Sequence, residues 1–268
     1  MNLSISNIGW PARMDLQVYG LMKEYGYSGL EIAPTRIFPE EPYERIEEAG
    51  AWGRQLKEDY QLTIPSMQSI WYGRTENVFG TKKEREILLE YTKKAIDFAA
   101  VIGCKNLVFG CPKNRNLPKG ADPEPAVGFF KELGDYAAVK KTVIGLEANP
   151  PIYHTNFVND TESALKLIER VDSSGFLLNL DVGTIIQNGE RISELEGKVR
   201  YINHVHISEP GLELIVQRKL HEELFQILKE EGYRGFVSIE MGKRESSTEI
   251  ETVLGYVKQI FGKECVNV

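Results

Sequence analysis

Eight short runs rich in β-branched and aromatic residues alternate with segments of helical periodicity, and this alternation restricts the fold more than any other feature of the chain. The runs are LSISNI, GLEIAP, TIPSMQSIW, NLVFGC, VIGLEA, FLLNLDVG, YINHVHIS and FVSIEM. Strands that alternate with helices pair in parallel. Eight such units within 268 residues favour a closed barrel over an open sheet. We therefore predict an α/β fold, a single (β/α)8 TIM-barrel domain over residues 1–268.

The helical segments also carry start signals. In NDTESALKLIERV, Asn159 and Glu162 fit a capping box, and Leu165, Ile168 and Val171 form the apolar stripe of the helix that follows. We expect this helix to pack its stripe against the barrel.

The connections from strand to helix are longer than those from helix to strand. The longest, CPKNRNLPKGADPEP, follows the fourth strand, and WYGRTENVFGTK follows the third. In barrels of this kind the strand-to-helix loops build the active face. We therefore expect the functional residues at the carboxyl ends of the strands.

Composition excludes several classes of partner. The formal net charge of −7 argues against nucleic acid, which requires a basic face. The sequence has no apolar run long enough for a membrane helix and no secretion signal. The cysteines Cys104, Cys111 and Cys265 show no metal-binding spacing and are predicted to be reduced thiols. We expect a cytoplasmic protein; its oligomeric state is open, and a homo-oligomer is compatible with the sequence.

Four chemically related side chains end four successive strands in the second half of the chain. Glu147, Asp181, His206 and Glu240 follow one another at steps of 34, 25 and 34 residues, about one strand-plus-helix unit each. In a barrel, all four would reach the same rim. Three carboxylates in an apolar rim would repel one another unless a cation compensates them. Their oxygen atoms and one imidazole suit Mn²⁺, Mg²⁺ or Co²⁺, with Zn²⁺ also compatible.

The remaining histidines offer weaker signals. His204 shares a strand face with His206 and is expected to lie beneath it as a buried structural residue. His154 lies in the loop after the fifth strand, where a substrate contact and a plain loop position are both open. His221 opens a helix and is expected to be structural.

At these residues the chain resembles the xylose isomerase-like TIM-barrel superfamily, in particular its sugar phosphate isomerase/epimerase branch. The motifs that carry the resemblance are SNIGW, GLEIAP, GLEANP, LNLDVG, HVHISEP and YRGFVSIEMG. The resemblance implies that Glu147, Asp181, His206 and Glu240 hold one divalent metal ion. It also implies that Glu147 and Glu240 form the acid/base pair.

Two positions depart from the family pattern. Thr184 stands where related proteins often carry a histidine that touches substrate. Leu212 stands where ketose epimerases carry an arginine. The metal centre therefore transfers from the family, whereas the substrate contacts do not.

The chemistry expected of such a centre is proton transfer next to a carbonyl. A metal ion stabilises the resulting enediolate, and two carboxylates remove and return the proton. We predict a metal-dependent isomerase or epimerase of carbohydrate metabolism with one divalent ion, Mn²⁺ being preferred, and a small-molecule sugar or sugar phosphate as substrate.

Further residues are predicted to contact that substrate. Glu31 and Gln68 could bond sugar hydroxyls, Trp10 could stack on the ring, and Lys113 with Arg115 could clamp an anionic group. Asn149 could orient Glu147. The full set of substrate-binding candidates is Trp10, Glu31, Gln68, Lys113, Arg115, Asn149 and His154.

Three alternatives remain at this point. A lyase, such as a dehydratase of a keto-inositol, would use the same proton abstraction. A phosphodiesterase similar to endonuclease IV would need more histidines than the four present. A barrel that binds sugar without catalysis would have no need for the four ligands.

Overall fold

Parallel strands and surrounding helices form the described part of the chain, residues 1–262 of the computed structural model. The strands are β1 Asn2–Ser6, β2 Gly29–Glu31, β3 Ser66–Met67, β4 Asn106–Phe109, β5 Ile144–Leu146, β6 Phe176–Asp181, β7 Ile202–Ile207 and β8 Phe236–Ile239. The helices are α1 Asp15–Glu24, α2 Pro34–Ile37, α3 Ile46–Tyr60, α4 Lys82–Ile102, α5 Glu124–Val139, α6 Thr161–Val171, α7 Val182–Asn188, α8 Lys219–Glu230 and α9 Ser247–Phe261.

The strands form one sheet in the order β2-β1-β8-β7-β6-β5-β4-β3. Isolated bridges Gly29–Thr63 and Ile32–Met67 join its two edges, β2 and β3, and nearly close the barrel. The seam holds because the Leu30 amide donates to the Thr63 carbonyl at 2.8 Å and the Gln68 amide to the Ile32 carbonyl at 2.8 Å. The predicted TIM-barrel fold is confirmed.

A glycine lies at this seam for a steric reason. A Cβ atom at Gly29 would stand 2.6 Å from the Phe236 ring and 2.7 Å from the Ser4 side chain. Such distances are well inside van der Waals contact. The narrow approach of β2 to β1 and β8 therefore requires a residue without a side chain.

The predicted capping box at the start of the sixth helix is present but lies one residue later than the sequence predicts. Helix α6 begins at Thr161, and its capping box pairs Asp160 with Ser163 instead of Asn159 with Glu162. Asn159 instead donates from Nδ2 to the Asn149 carbonyl at 2.8 Å. A side chain committed to that loop contact is not available as a helix cap.

No helix within residues 1–262 combines the length and apolar character that a membrane crossing demands. Cys104 is buried and Cys111 is partly buried, and both are free thiols. Cys265 lies outside the described residues.

His221 makes stability depend on pH. It is fully buried in α8, and its Nδ1 lies 2.7 Å from the Tyr256 hydroxyl. Burial lowers the pKa of His221 to about 4; the carboxylate of Glu209 opposes this shift, and the positive charge of Arg218 adds to it. Because the unfolded chain takes up this proton at about pH 6.5, this contribution to stability is complete above that pH and declines as the pH falls towards 4.

The expected size of this effect is on the order of 3 kcal/mol between neutral pH and pH 4. His221→Gln should therefore flatten the pH dependence of the free energy of unfolding between pH 6.5 and 4, measured by urea denaturation. Parallel wild-type and variant curves across that window would contradict the assignment.

Candidate metal centre and active site

The four predicted ligands meet at the carboxyl ends of β5 to β8. Glu147, Asp181, His206 and Glu240 each place one ligand atom within 4.8 Å of the others. His206 Nδ1 lies 3.1 Å from Glu147 Oε1 and 3.2 Å from Glu240 Oε2. Ligands of one divalent ion stand about 2.0–2.6 Å from it, so they lie within about 5 Å of one another. The spacing fits a single ion.

Asp181 is fixed by residues on both sides of it. As the last residue of β6 and the cap of α7, it accepts from the Thr184 amide at 2.8 Å. The Thr184 hydroxyl lies 2.7 Å from the same carboxylate oxygen, and the Ser208 hydroxyl donates to the other oxygen. Thr184 therefore orients a candidate metal ligand.

Glu147 is held by two amides. Asn179 Nδ2 donates to its Oε1 at 2.8 Å, and Asn149 Nδ2 donates to its Oε2 at 3.0 Å. A Cβ atom at Gly110 would stand 2.8 Å from Glu147 Oε2. Glycine at that position leaves the space that this carboxylate occupies.

His206 contacts carboxylates with both ring nitrogens. Its Nδ1 faces Glu147 and Glu240, whereas its Nε2 lies 2.9 Å from Glu31 Oε2, deeper in the barrel. His204 Nε2 lies 3.1 Å from the same Glu31 oxygen. The angle of the His204 ring to that oxygen is too poor for a hydrogen bond. Glu31 therefore occupies the position of a carboxylate that fixes the tautomer of a metal-binding histidine.

The electrostatics of the cluster indicate a shortage of positive charge. Burial raises the pKa of Asp181, and repulsion from Glu147 raises it further; burial likewise raises the pKa of Glu240. Burial alone would lower the pKa of His206, but the carboxylates of Glu31 and Glu240 outweigh it and hold that pKa well above its usual range. A dication would neutralise the buried carboxylates. The residues present therefore fit the metal that the sequence predicts.

Burial alone would also raise the pKa of Glu31. The imidazoles of His206 and His204 outweigh it and hold the pKa well below its usual range. Glu31 is thus a carboxylate that stays ionised beneath the cluster.

A cavity of about 540 Å³ opens directly onto the cluster. Residues at or just after the carboxyl ends of β3 to β8 line it, among them Glu147, Asp181 and Glu240. Such a volume is typical of pockets that bind small molecules. The cluster is therefore accessible to a ligand from the active face of the barrel.

Three of the predicted substrate contacts line this cavity: Gln68, Lys113 and Asn149. Lys113 is exposed, whereas Gln68 and Asn149 are buried in the wall. Asn149 has the orienting contact with Glu147 that was predicted for it. For these residues the structure permits a substrate contact.

The other four candidates lie elsewhere. Trp10 is fully buried, and its Nε1 donates to Asp15 at 2.7 Å. Glu31 is fully buried beneath His206. His154 is an exposed loop residue that does not line the cavity. None of these three positions permits contact with a ligand in the cavity.

Arg115 does not lie where the sequence predicts. Its guanidinium is fully buried and donates to the Glu147 carbonyl at 2.9 Å and to Asn149 Oδ1 at 2.7 Å. It does not line the cavity with Lys113. The predicted Lys113–Arg115 clamp therefore does not form, and Arg115 instead supports the loop that carries Glu147.

Asn179 and Ser208 are the site residues that sequence reasoning missed. Each lies two positions from a ligand, Asn179 before Asp181 and Ser208 after His206. Residues two apart on a strand share a face. The alternation of the strand was therefore a signal that could have identified both.

The sequence profile of the Xylose isomerase-like TIM barrel family matches residues 20–260. The chain belongs to this family. No curated protein sequence matches it.

Several solved structures share the fold. A 3-keto-D-glucoside 4-epimerase, YcjR from E. coli, superposes with a TM-score of 0.76 at 19% identity, covering 97% of this chain and 99% of that one. A D-psicose 3-epimerase from Clostridium cellulolyticum H10 gives a TM-score of 0.75 at 15% identity, with 97% and 99% covered. A family 2 AP endonuclease from Brucella melitensis gives 0.72 at 22% identity, with 94% and 96% covered. At these identities the similarity establishes the fold alone.

Proposed function

We propose that this protein is a divalent-metal-dependent sugar isomerase or epimerase. The observation that carries the proposal is the pair of carboxylates, Glu147 and Glu240, which flank His206 Nδ1 at 3.1 and 3.2 Å and line one cavity. Sugar epimerases among the proteins of the same fold support it.

In this proposal Glu147 and Glu240 each carry out one step of the proton transfer. One carboxylate removes the proton from the carbon beside a substrate carbonyl, and the other returns a proton to the neighbouring carbon or to the opposite face. The Asn149 and Asn179 amides hold Glu147 in place during this exchange. When bound, the ion supplies Lewis-acid polarisation of substrate oxygens.

Glu147, Asp181, His206 and Glu240 would hold the ion. Three carboxylates and one imidazole suit Mn²⁺ best among the ions considered, with Mg²⁺, Co²⁺ and Zn²⁺ as further candidates. Metal analysis of the purified protein should give one equivalent.

We do not propose phosphodiester cleavage, although an AP endonuclease shares the fold. All four histidines fall within the described residues, and only His206 belongs to the cluster that opens onto the cavity. His204 lies beneath it, His221 is buried in α8, and His154 is exposed. A second or third zinc ion would therefore lack imidazole ligands at the cavity.

Solvent exchange tests the proposal directly. The protein loaded with Mn²⁺ is incubated in D₂O with a panel of aldoses, ketoses, keto-glycosides and sugar phosphates, and deuterium at carbon is followed by NMR. We expect deuterium to enter the substrate next to the carbonyl. Conversion without deuterium would indicate a hydride shift, loss of water would indicate a lyase, and no exchange with any sugar would refute the function.

Glu31→Gln is expected to weaken metal binding about 10–100-fold. The variant loses the negative charge that lies 2.9 Å from His206 Nε2 and directs Nδ1 towards the carboxylates. Calorimetric titration with Mn²⁺ measures the change without reference to activity. An unchanged dissociation constant would show that Glu31 does not position His206.

A further inference from the structure

The cavity extends well beyond the acid/base pair. Its volume of about 540 Å³ lies within the range of about 300–1,000 Å³ that pockets for drug-sized ligands occupy, and such ligands are larger than one hexose. The loops after β3 and β4 add lining residues such as Tyr72 and Lys113 to those around Glu147 and Glu240. The substrate therefore has room for a second chemical unit beyond the reacting sugar.

The lining of the cavity is largely apolar. Its side chains include Trp71, Tyr72, Pro112, Tyr153 and Leu212. Tyr72 is 71% exposed. An aromatic ring at a cavity rim can pack against a sugar ring or an aromatic group, since one of its faces is free.

Leu212 is held rigidly at this wall. Its carbonyl accepts from the Gly242 amide at 2.7 Å and from the Arg244 guanidinium at 3.1 Å. The backbone at Leu212 is therefore fixed, and an apolar side chain lines the cavity at this position.

The charges at the cavity do not suit a phosphate group. Arg74 is already paired with Glu76, with Nε 3.0 Å from a carboxylate oxygen, and its guanidinium lies over the Tyr91 ring. Lys113 is the one lining cation for which the described residues provide no ion pair. Phosphates are usually held by several cationic or amide donors together.

Carboxylates dominate the same surface. Glu147, Asp181, Glu209 and Glu240 line the cavity, and Glu209 is held by Arg218 at 2.7 Å. The amino end of α7, which borders the cavity, is capped by Asp181 itself. With a dication bound, one free lysine would face a nearly neutral, partly apolar pocket.

We propose that the substrate is an uncharged glycoside, a sugar whose second unit packs against the apolar lining of the cavity at Tyr72, instead of a free monosaccharide or a sugar phosphate. This rests on the proposed function. Because a glycosidic bond masks the anomeric carbonyl, the carbonyl that activates the proton lies at another ring carbon. The reaction is then an epimerisation or isomerisation within a keto-glycoside ring. In an epimerisation, the C–H bond beside the carbonyl breaks and a C–H bond forms on the opposite face of the same carbon. In an isomerisation, the C–H and O–H bonds of the neighbouring carbon break, and a C–H and an O–H bond form at the former carbonyl carbon.

Binding tests this assignment independently of turnover. Calorimetry with the Mn²⁺-loaded protein compares phenyl β-glycosides of glucose, galactose and mannose with the free sugars and their 6-phosphates. We expect at least one phenyl glycoside to bind more tightly, by about 10-fold or more, than the corresponding free sugar and the corresponding 6-phosphate. Equal affinities in all three series, or tighter binding of a phosphate, would overturn the proposal. Deuterium exchange could still succeed in that case and would leave the isomerase function standing.

Tyr72→Ala locates the second unit. We expect the variant to lose most of the preference for the phenyl glycoside and to keep the affinity for the free sugar. Leu16→Ala, which removes a 70% exposed side chain from α1, is the matched control and should change neither affinity. If Tyr72→Ala weakened both ligands equally or neither, the second unit would not pack on this ring.

Discussion

Glu240→Gln is expected to reduce solvent-deuterium exchange by about 10³-fold or more and to leave the fold intact. Glutamine has the shape of glutamate but cannot accept the proton, and general acid/base groups contribute about 10²–10⁴-fold to rate. Burial already raises the pKa of Glu240, so removing this charge relieves the acidic cluster. Exchange is measured by NMR on Mn²⁺-loaded protein, and folding by thermal denaturation.

Metal content must be measured on the same samples, because Glu240 is also a candidate ligand. A variant that keeps its ion and loses exchange has lost the acid/base group. Glu213→Gln is the matched control, since this glutamate lies in the neighbouring loop and its side chain is 78% exposed. If Glu240→Gln exchanged solvent deuterium at the wild-type rate, Glu240 would not take part in the proton transfer.

Arg115→Ala is expected to destabilise the protein by about 2–4 kcal/mol. The change removes a fully buried side chain and leaves the Glu147 carbonyl and Asn149 Oδ1 without their donor. The melting temperature should fall by roughly 4–7 °C. Mn²⁺ affinity should also fall, because Asn149 holds the Glu147 carboxylate at 3.0 Å.

Two further variants serve as controls for Arg115→Ala. Arg54→Ala removes an exposed arginine and should alter stability by less than about 0.5 kcal/mol. Arg115→Lys keeps a positive charge and should recover part of the stability. If Arg115→Ala melted at the wild-type temperature but lost affinity for sugars, the guanidinium would act on the substrate after all.

Much of the fold could be predicted from local sequence patterns. Eight apolar runs separated by helical segments correspond to the strands β1 to β8, and periodicity alone located the buried stripe of α6 at Leu165, Ile168 and Val171. The helix cap of α6 was predicted one residue early, because Asn159 and Asp160 are equally good caps by composition. The contact of Asn159 with the Asn149 carbonyl decides between them, and that contact is tertiary.

The candidate ligands could be predicted for a similar reason. In a parallel barrel the carboxyl ends of all strands meet at one face, so a residue's position at a strand end determines where it lies. Glu147, Asp181, His206 and Glu240 met that condition in the sequence. The structure brings their ligand atoms within 4.8 Å, whereas metal binding itself remains part of the proposal.

Only the tertiary structure decided what the loop and interior residues do. Lys113 and Arg115 are two apart in one loop, yet one lines the cavity and the other is buried beneath the β5 loop. Glu31 ends its strand as Glu147 does, yet it bonds His206 from below. Strand periodicity fixes the face on which a side chain lies, but its depth and its partners depend on loops and neighbouring strands that are distant in the sequence. The sequence by itself thus determined the barrel and the rim where the candidate ligands meet, and the packing of distant segments determined which residues reach the cavity.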